Sequence, residues 1–459
     1  MEREKAITIS LQTPLLQTTQ NRQQPQQGQQ QQQFNGIDED DHHDTHLDKT
    51  LQRLDFFLCF LGFHQTSIIS FGLSWAALLL VGIAIPVVIL ELSSCSGCEE
   101  YQVRNFEFIV LASQASLGAV SLLCLSHNLR KYGIRKFLFV DRFSGQMVRF
   151  MDQYIQKIRD TYRMLMLWLL PCLVLKTARE TIRLLNVKDE PWWQSAAIAL
   201  ALIISWMYMN AICLVACIMF HLVCSLQVIH FDDYGKLLER ESNIFFLMQE
   251  HFRLRQYLSK ISHRFRIYLL LVFLVVTASQ FVTLLETTGY SGTITFLNGG
   301  DFAVTSIVQV VGITLCLHAA TKISHRAQGI ASVASKWHAL ATCNSPYSGG
   351  AQSRRTNSSG SLDTTNHYHS LSTNYSESDL ESLDWTSLPS NMQLPSFASS
   401  YHKRQSFVMY LQTNPGGITI FGWTVDRALI CTIFFIELSL VLFVLGNTVT
   451  IPSGAIPPS

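Results

Sequence analysis

The sequence predicts an all-α integral membrane protein with seven transmembrane helices. The N-terminus is cytosolic, the C-terminus is extracellular, and the helices are prolonged into a cytosolic anchor region. Three observations predict this. Only 15% of the 459 residues are charged and mean hydropathy is +0.21, against about 25% charged residues in soluble domains. Seven stretches approach the roughly 20 apolar residues that a span needs. Lys and Arg fall 29 to 5 on alternate sides of those stretches, and the basic side is the cytosolic one. A net charge of +1 gives nucleic-acid binding no footing.

The elements follow in chain order. Residues 1–48 are a Gln-rich and then acidic tail, too polar to bury a core. Its His/Asp cluster reads as solvated. Lys49–His64 is amphipathic, with Leu51, Leu54, Leu58 and Leu61 at helical spacing, and reads as an interfacial or re-entrant helix. The apolar stretches are Ile68–Leu92, Phe106–Ser126, Met164–Leu185, Ser195–His230, Ile267–Glu286, Phe302–Ala320 and Ala428–Gly446. The fourth would be about 54 Å long as a helix. No Gly or Pro lies between Pro191 and Gly235, so one long helix is expected there rather than two spans and a turn. Residues 128–163 and 231–266 keep helical periodicity and extend the bundle below the membrane. The body thus covers 49–343. Residues 344–400 are a Ser-rich linker with weak kinase patterns at Arg355–Ser358 and Ser378–Glu381. Residues 401–447 carry a pre-span helix, a turn and the last span, and 448–459 form a short outer tail. The orientation is opposite to that of G-protein-coupled receptors, and no cleavable signal peptide is expected.

Chemistry is concentrated in a few places. Lys176, Arg179 and Arg183 share one face of the third span, with Glu180 four residues after Lys176. Charge inside a membrane is expensive and usually functional. The face either lines a pocket for a polar or anionic small molecule or pairs with Glu107, Glu286 or Asp301. Glu437 in the last span has no local partner in the sequence; it lines an ion pathway or pairs inside the bundle. Pro86 and Pro171 are expected to kink their helices. Cys95 and Cys98 on the outer side are a disulfide or free thiols; a metal site would need a second pair, which no outer segment supplies. His127, His221 and His318 lie near the inner ends of three spans but lack metal-ligand spacing. Neither a nucleophile motif nor a nucleotide fingerprint is present. No catalytic residue, metal or cofactor is expected, and the chain is not read as an enzyme. Its nearest enzymatic alternative is an intramembrane metal-dependent hydrolase.

The segment Ile418-Thr-Ile-Phe-Gly-Trp-Thr-Val-Asp426-Arg427, followed by the last span, resembles the C-terminal region of insect gustatory and odorant receptors. The closing signature of that group, Thr-Tyr, five apolar residues, Gln-Phe, falls here on Ser439-Leu440, Val441–Leu445 and Gly446-Asn447. Spacing is kept and chemistry departs at all four flanking positions. From about 50 to 450 the chain is most similar to the plant gustatory-receptor-like group. The resemblance implies a homotetrameric, ligand-gated cation channel with a cytosolic anchor, and a ligand pocket in the outer half among spans 2 to 4 and 6. The last span of each subunit would line one shared pore. The narrow point would fall on Phe443, Gly446 and Asn447, and the same face continues inward through Leu440, Ile436 and Thr432. Glu437 lies about 100° around the helix from Ile436, off that face. The implied partners are a lipid bilayer, further copies of the chain, an unknown small molecule and cations. The membrane is the plasma membrane or an endomembrane. The altered signature favours the second reading, a non-conducting membrane scaffold or signalling protein of the same fold.

Overall fold

A computed structural model describes residues 46–92, 104–139, 150–186, 192–240, 243–289, 296–343, 400–421, 423–424 and 427–448. Residues 1–45, 344–399 and 449–459, and with them nearly all of the tails and the Ser-rich linker, lie outside the described residues, as do Cys95 and Cys98.

Nearly everything described is helical. Helix α1 covers residues 46–60, starting three residues earlier than the periodicity suggested. Its leucine stripe, Leu47, Leu51, Leu54 and Leu58, is buried in the protein core. Phe57 meets Tyr162 edge-on at 5.8 Å, and Asp48 pairs with Arg135. The stripe therefore faces protein, while Phe56 and Phe60 stay exposed on the other side.

Helix α2 comprises Ile68–Leu79, a π turn at Leu80–Ala84, and Ile85–Leu92. The wide turn sits just ahead of Pro86, whose ring would clash with the carbonyl four residues back in a regular helix. The expected kink takes this form. Gly82, inside the π turn, and Gly118 of α3 (Arg104–Leu138) flank Met209 of α5 (Trp192–Arg240). A Cβ on Gly82 would stand 2.3 Å from the Met209 sulfur, and one on Gly118 would stand 2.8 Å from its methyl. Small residues let helices approach this closely. Helix α3 breaks at Gly133, where φ is 70°. Arg264 stacks on Tyr132 at 3.8 Å and donates to the Lys136 carbonyl at 3.0 Å, closing that break.

The remaining long helices are α4 (Met151–Asn186), α6 (Ile244–Gly289) and α7 (Phe296–Cys343). Helix α5 runs unbroken for 49 residues; its middle, Ile212–Ile229, is buried except for half-buried His221, with α3, α4, α6 and α7 packed around it. The long apolar run is thus one helix, as its lack of Gly and Pro implies. Among the described residues, five helices are long and apolar enough to cross a membrane: Ile68–Glu91, Phe106–Leu138, Trp192–Arg240, Ile244–Glu286 and Gly300–Cys343. The chain is a multi-pass membrane protein. The other two apolar stretches fall on α4, whose charges dilute it, and on α9 (Arg427–Thr448), whose apolar part is short.

At one end of the bundle, α8 (Ser400–Thr413) packs on α6 and α7 through Phe407, Val408 and Leu411. Arg255 donates to the Asn414 side chain at 2.7 Å. A two-strand hairpin, β1 (Thr419–Ile420) with β2 (Trp423–Thr424), then leads into α9. Phe421 at its turn has a φ of 49°, as a tight hairpin requires. The entry to the hairpin is pinned by two hydroxyls: Ile418 N–H donates to Ser324 at 3.2 Å and Thr419 N–H to Ser262 at 3.2 Å. Ser262→Ala should cost about 1 kcal/mol, the worth of one part-buried hydrogen bond. Hydrogen exchange at 418–420 should quicken while the α5 amides stay protected; no local change would mean that the hydroxyl is idle.

Candidate functional site

At the other end of the bundle the directions of three helices bring opposite charges together. Helices α3 and α7 begin there and supply acids: Glu107 from the first turn of α3 and Asp301 from the second turn of α7. Helix α4 ends there and supplies cations from its last turns: Lys176, Arg179 and Arg183. Glu107 in the first turn of α3 and Arg183 in the last turn of α4 also lie at the helix termini whose dipoles favour their charges. Glu180 adds a third acid from α4 itself.

Arg179 is the hub, 1% exposed. It donates to Glu180 at 2.7 Å, to Asp301 at 2.8 Å and to Glu107 at 3.2 Å. Lys176 bridges Asp301 at 2.6 Å and Glu180 at 2.9 Å. Arg183, further out, reaches Glu107 at 3.5 Å and Glu180 at 3.9 Å. Such charges are tolerated away from water only when paired and hydrogen-bonded. Phe106 and Phe302, 4.9 Å apart, form a small apolar cluster next in sequence to Glu107 and Asp301.

A cavity of about 50 Å³ adjoins this cage, room for a few waters. The six charged side chains line it together with Pro86 and Leu90 of α2, Val110, Leu111 and Gln114 of α3, and Leu202, Ser205 and Trp206 of α5. Gln114 donates to Thr305 at 3.0 Å. Gln309 accepts from Gln280 at 3.0 Å and from Ser279 at 3.2 Å, and donates to Ser113 at 3.3 Å.

Lys176, Arg179 and Arg183 are therefore brought together with two of the three acids that their sequence suggested. Among the described residues no ion pair joins them to Glu286. His221 and His318 stack at 6.4 Å, while His127 is exposed. No group of three or more His, Cys, Asp or Glu among the described residues is placed to hold a metal. On α9, Ile436, Phe443 and Gly446 are exposed and Leu440 is half-buried. Thr432, also exposed, donates to the Ala428 carbonyl at 3.0 Å. The side chains of Glu437 and Asn447 lie outside the described residues. Trp206 was missed by sequence reasoning. Its indole N–H is buried with no hydrogen-bond partner, a feature that neighbours create and periodicity does not announce.

A family described as a protein of unknown function, DUF3537, matches residues 49–436. The chain belongs to that family. The match runs from α1 almost to the middle of α9 and so includes every residue of the cage. No curated protein matches this DUF3537 chain by sequence. Among solved structures, the fold is similar to that of the insect olfactory receptor OR5 from Machilis hrabei in complex with eugenol. The TM-score is 0.53 at 12% identity, over 88% of this chain and 99% of the receptor. A second structure of the same receptor aligns at a TM-score of 0.45 and 11% identity, over 87% and 98% of the two chains. The likeness is one of fold.

Proposed function

We propose that the chain is a seven-span, N-in, C-out receptor of the plant gustatory-receptor-like type that assembles as a homotetrameric, ligand-gated cation channel in the plasma membrane or an endomembrane. In this reading α4 and α9 supply the two spans beyond the five apolar helices. The cage end faces outward, the α8 end is the cytosolic anchor, and no catalytic step is involved. One observation carries the proposal. Helix α9 packs on α6 and α7 with one side, while Ile436, Phe443 and Gly446 lie exposed on another. Those are the positions that the family resemblance assigns to a shared pore. An exposed apolar stripe in register with three further copies would line such a pore without additional elements.

The test is current through the full-length protein in planar bilayers, before and after a candidate ligand is applied; eugenol, bound by the structural neighbour, is the first compound to apply. Phe443→Ala and Asn447→Ala are expected to alter unitary conductance or cation selectivity. Unchanged conductance in both variants would remove the pore assignment. The second reading, a non-conducting scaffold, is favoured by the substituted closing signature, with Gly446 and Asn447 where the receptors carry Gln and Phe. It predicts a folded protein without current under every ligand.

A further inference from the structure

We propose that a cluster of Lys157, His221, His318 and Lys322, at the end of the spans away from the ion cage, binds the phosphomonoester headgroup of an anionic membrane lipid. The reading lies beyond the channel proposal and needs only that the bundle crosses a membrane.

Three helices that pack on one another bring the cluster together. Helix α4 supplies Lys157, α5 supplies His221, and α7 supplies His318 and Lys322. The two imidazoles lie parallel within 12°, their centroids 6.4 Å apart. The charges of Lys322 and Lys157 both act on the His221 ring. His318 and Lys322 are exposed, and His221 and Lys157 are half-buried, so the cluster is open from outside. Its counter-charge is missing. Among the described residues, none of the four side chains has a hydrogen-bond or ion-pair partner. The nearest acids along α4 and α5 are engaged elsewhere, Asp160 by Arg163 at 3.4 Å and Asp232 by Arg326 at 3.3 Å. Helix α7 carries no acid from Phe302 to Cys343. The ion cage is the opposite case, with every cation on a carboxylate. Two ammonium groups and two imidazoles gathered without an acid create a positive potential that an anion lowers. A phosphomonoester brings up to two charges and three acceptor oxygens for these donors.

Position names the source of that phosphate. Lys157 precedes the apolar stretch that begins at Met164, and His318 and Lys322 straddle the end of the one that closes at Ala320. The cluster therefore stands at the boundary between membrane and water, where basic pockets between spans hold lipid headgroups. An apolar track leads away from it. Trp168 and Leu175 lie on the Lys157 face of α4, about 16 and 27 Å along the axis, and are 38% and 41% exposed. A lipid with its phosphate on the cluster would lay an acyl chain along them.

The experiment titrates phosphatidic acid into the purified full-length protein in phosphatidylcholine–detergent micelles. The unfolding temperature is read as a function of lipid concentration, which gives an apparent Kd. Phosphatidic acid should bind at least about tenfold more tightly than phosphatidylglycerol, whose phosphate is a diester with one charge. Free glycerol phosphate, which lacks the chains, should bind at least about tenfold more weakly than the lipid. Lys157→Gln and Lys322→Gln should each weaken phosphatidic acid binding about fivefold, and together about thirtyfold. Lys336→Gln, about 21 Å further along α7, removes the same charge outside the cluster and should leave binding unchanged. Phosphatidylglycerol or glycerol phosphate binding as tightly as phosphatidic acid would overturn the proposal. So would full affinity in the double variant, an equal loss in Lys336→Gln, or the absence of a saturable shift with phosphatidic acid. The lipid comparison on the parent stands even if the double variant does not fold. Unfolding is read without current, so a silent channel and an empty lipid site are separate failures.

Discussion

Replacing Arg179 by methionine should destabilise the protein by about 3–5 kcal/mol, the usual consequence of removing one partner from a buried charge cluster. Arg179 holds Glu107, Glu180 and Asp301 at once, and methionine fills similar space without charge. Three carboxylates would then face Lys176 and Arg183 alone. The measured quantities are the yield of monodisperse protein and the thermal unfolding temperature in detergent. The decisive variant is the double one. Arg179→Met with Asp301→Asn removes one charge of each sign, leaving two cations and two anions, and should be milder than Arg179→Met by itself. This non-additivity is expected of residues that share partners. A single variant within 1 kcal/mol of the parent, or a double variant worse than the single, would mean that the cage is open to water and weakly coupled.

Gly82→Leu should cost about 3 kcal/mol, the upper end for overpacking a filled interior. The first carbon alone would overlap the Met209 sulfur at 2.3 Å, and Met209 is trapped on its other side by Gly118. Gly82→Ala tests the sign. At an ordinary helical position that change gains up to about 1 kcal/mol; here it should destabilise. Met209→Ala empties the slot and should restore most of the stability of Gly82→Leu. If Gly82→Ala raises the unfolding temperature, α2 can slide away from α5 and the close approach is not required.

How far these features could be read from sequence depends on the distance over which each is determined. The shared face of Lys176, Arg179 and Arg183 was legible because helical spacing fixes it within two turns. The continuity of Trp192–Arg240 was legible because the residues that interrupt helices are missing there until Gly235. Glu107 and Asp301 were named beside Glu286 as partners, and the sequence offered no means of choosing among them. Asp301 lies 125 residues from Lys176, and only packing selects one acid over another. Pro86 announced a distortion but not its form, since a kink and a π turn both relieve the same clash. The leucines of α1 read as the apolar face of an interfacial or re-entrant helix, because spacing shows a face and not whether lipid or protein covers it. The slot around Met209 and the unpaired Trp206 N–H were invisible, being properties of three-dimensional contact rather than of any local pattern.

The length of α5 has a mechanical consequence. Its 49 residues make a rod of about 74 Å. Ser205 and Trp206 near one end line the cavity, and Tyr234 near the other donates to the Leu247 carbonyl at 2.9 Å. Within it, the described residues show neither a proline nor a π turn to absorb bending. A tilt of only about 3° about one end would carry the other through about 4 Å, on the scale of a helical turn. Geometry alone therefore gives this protein a lever, in which a displacement too small to notice at the cavity is magnified at the far end without any relay of side chains between them.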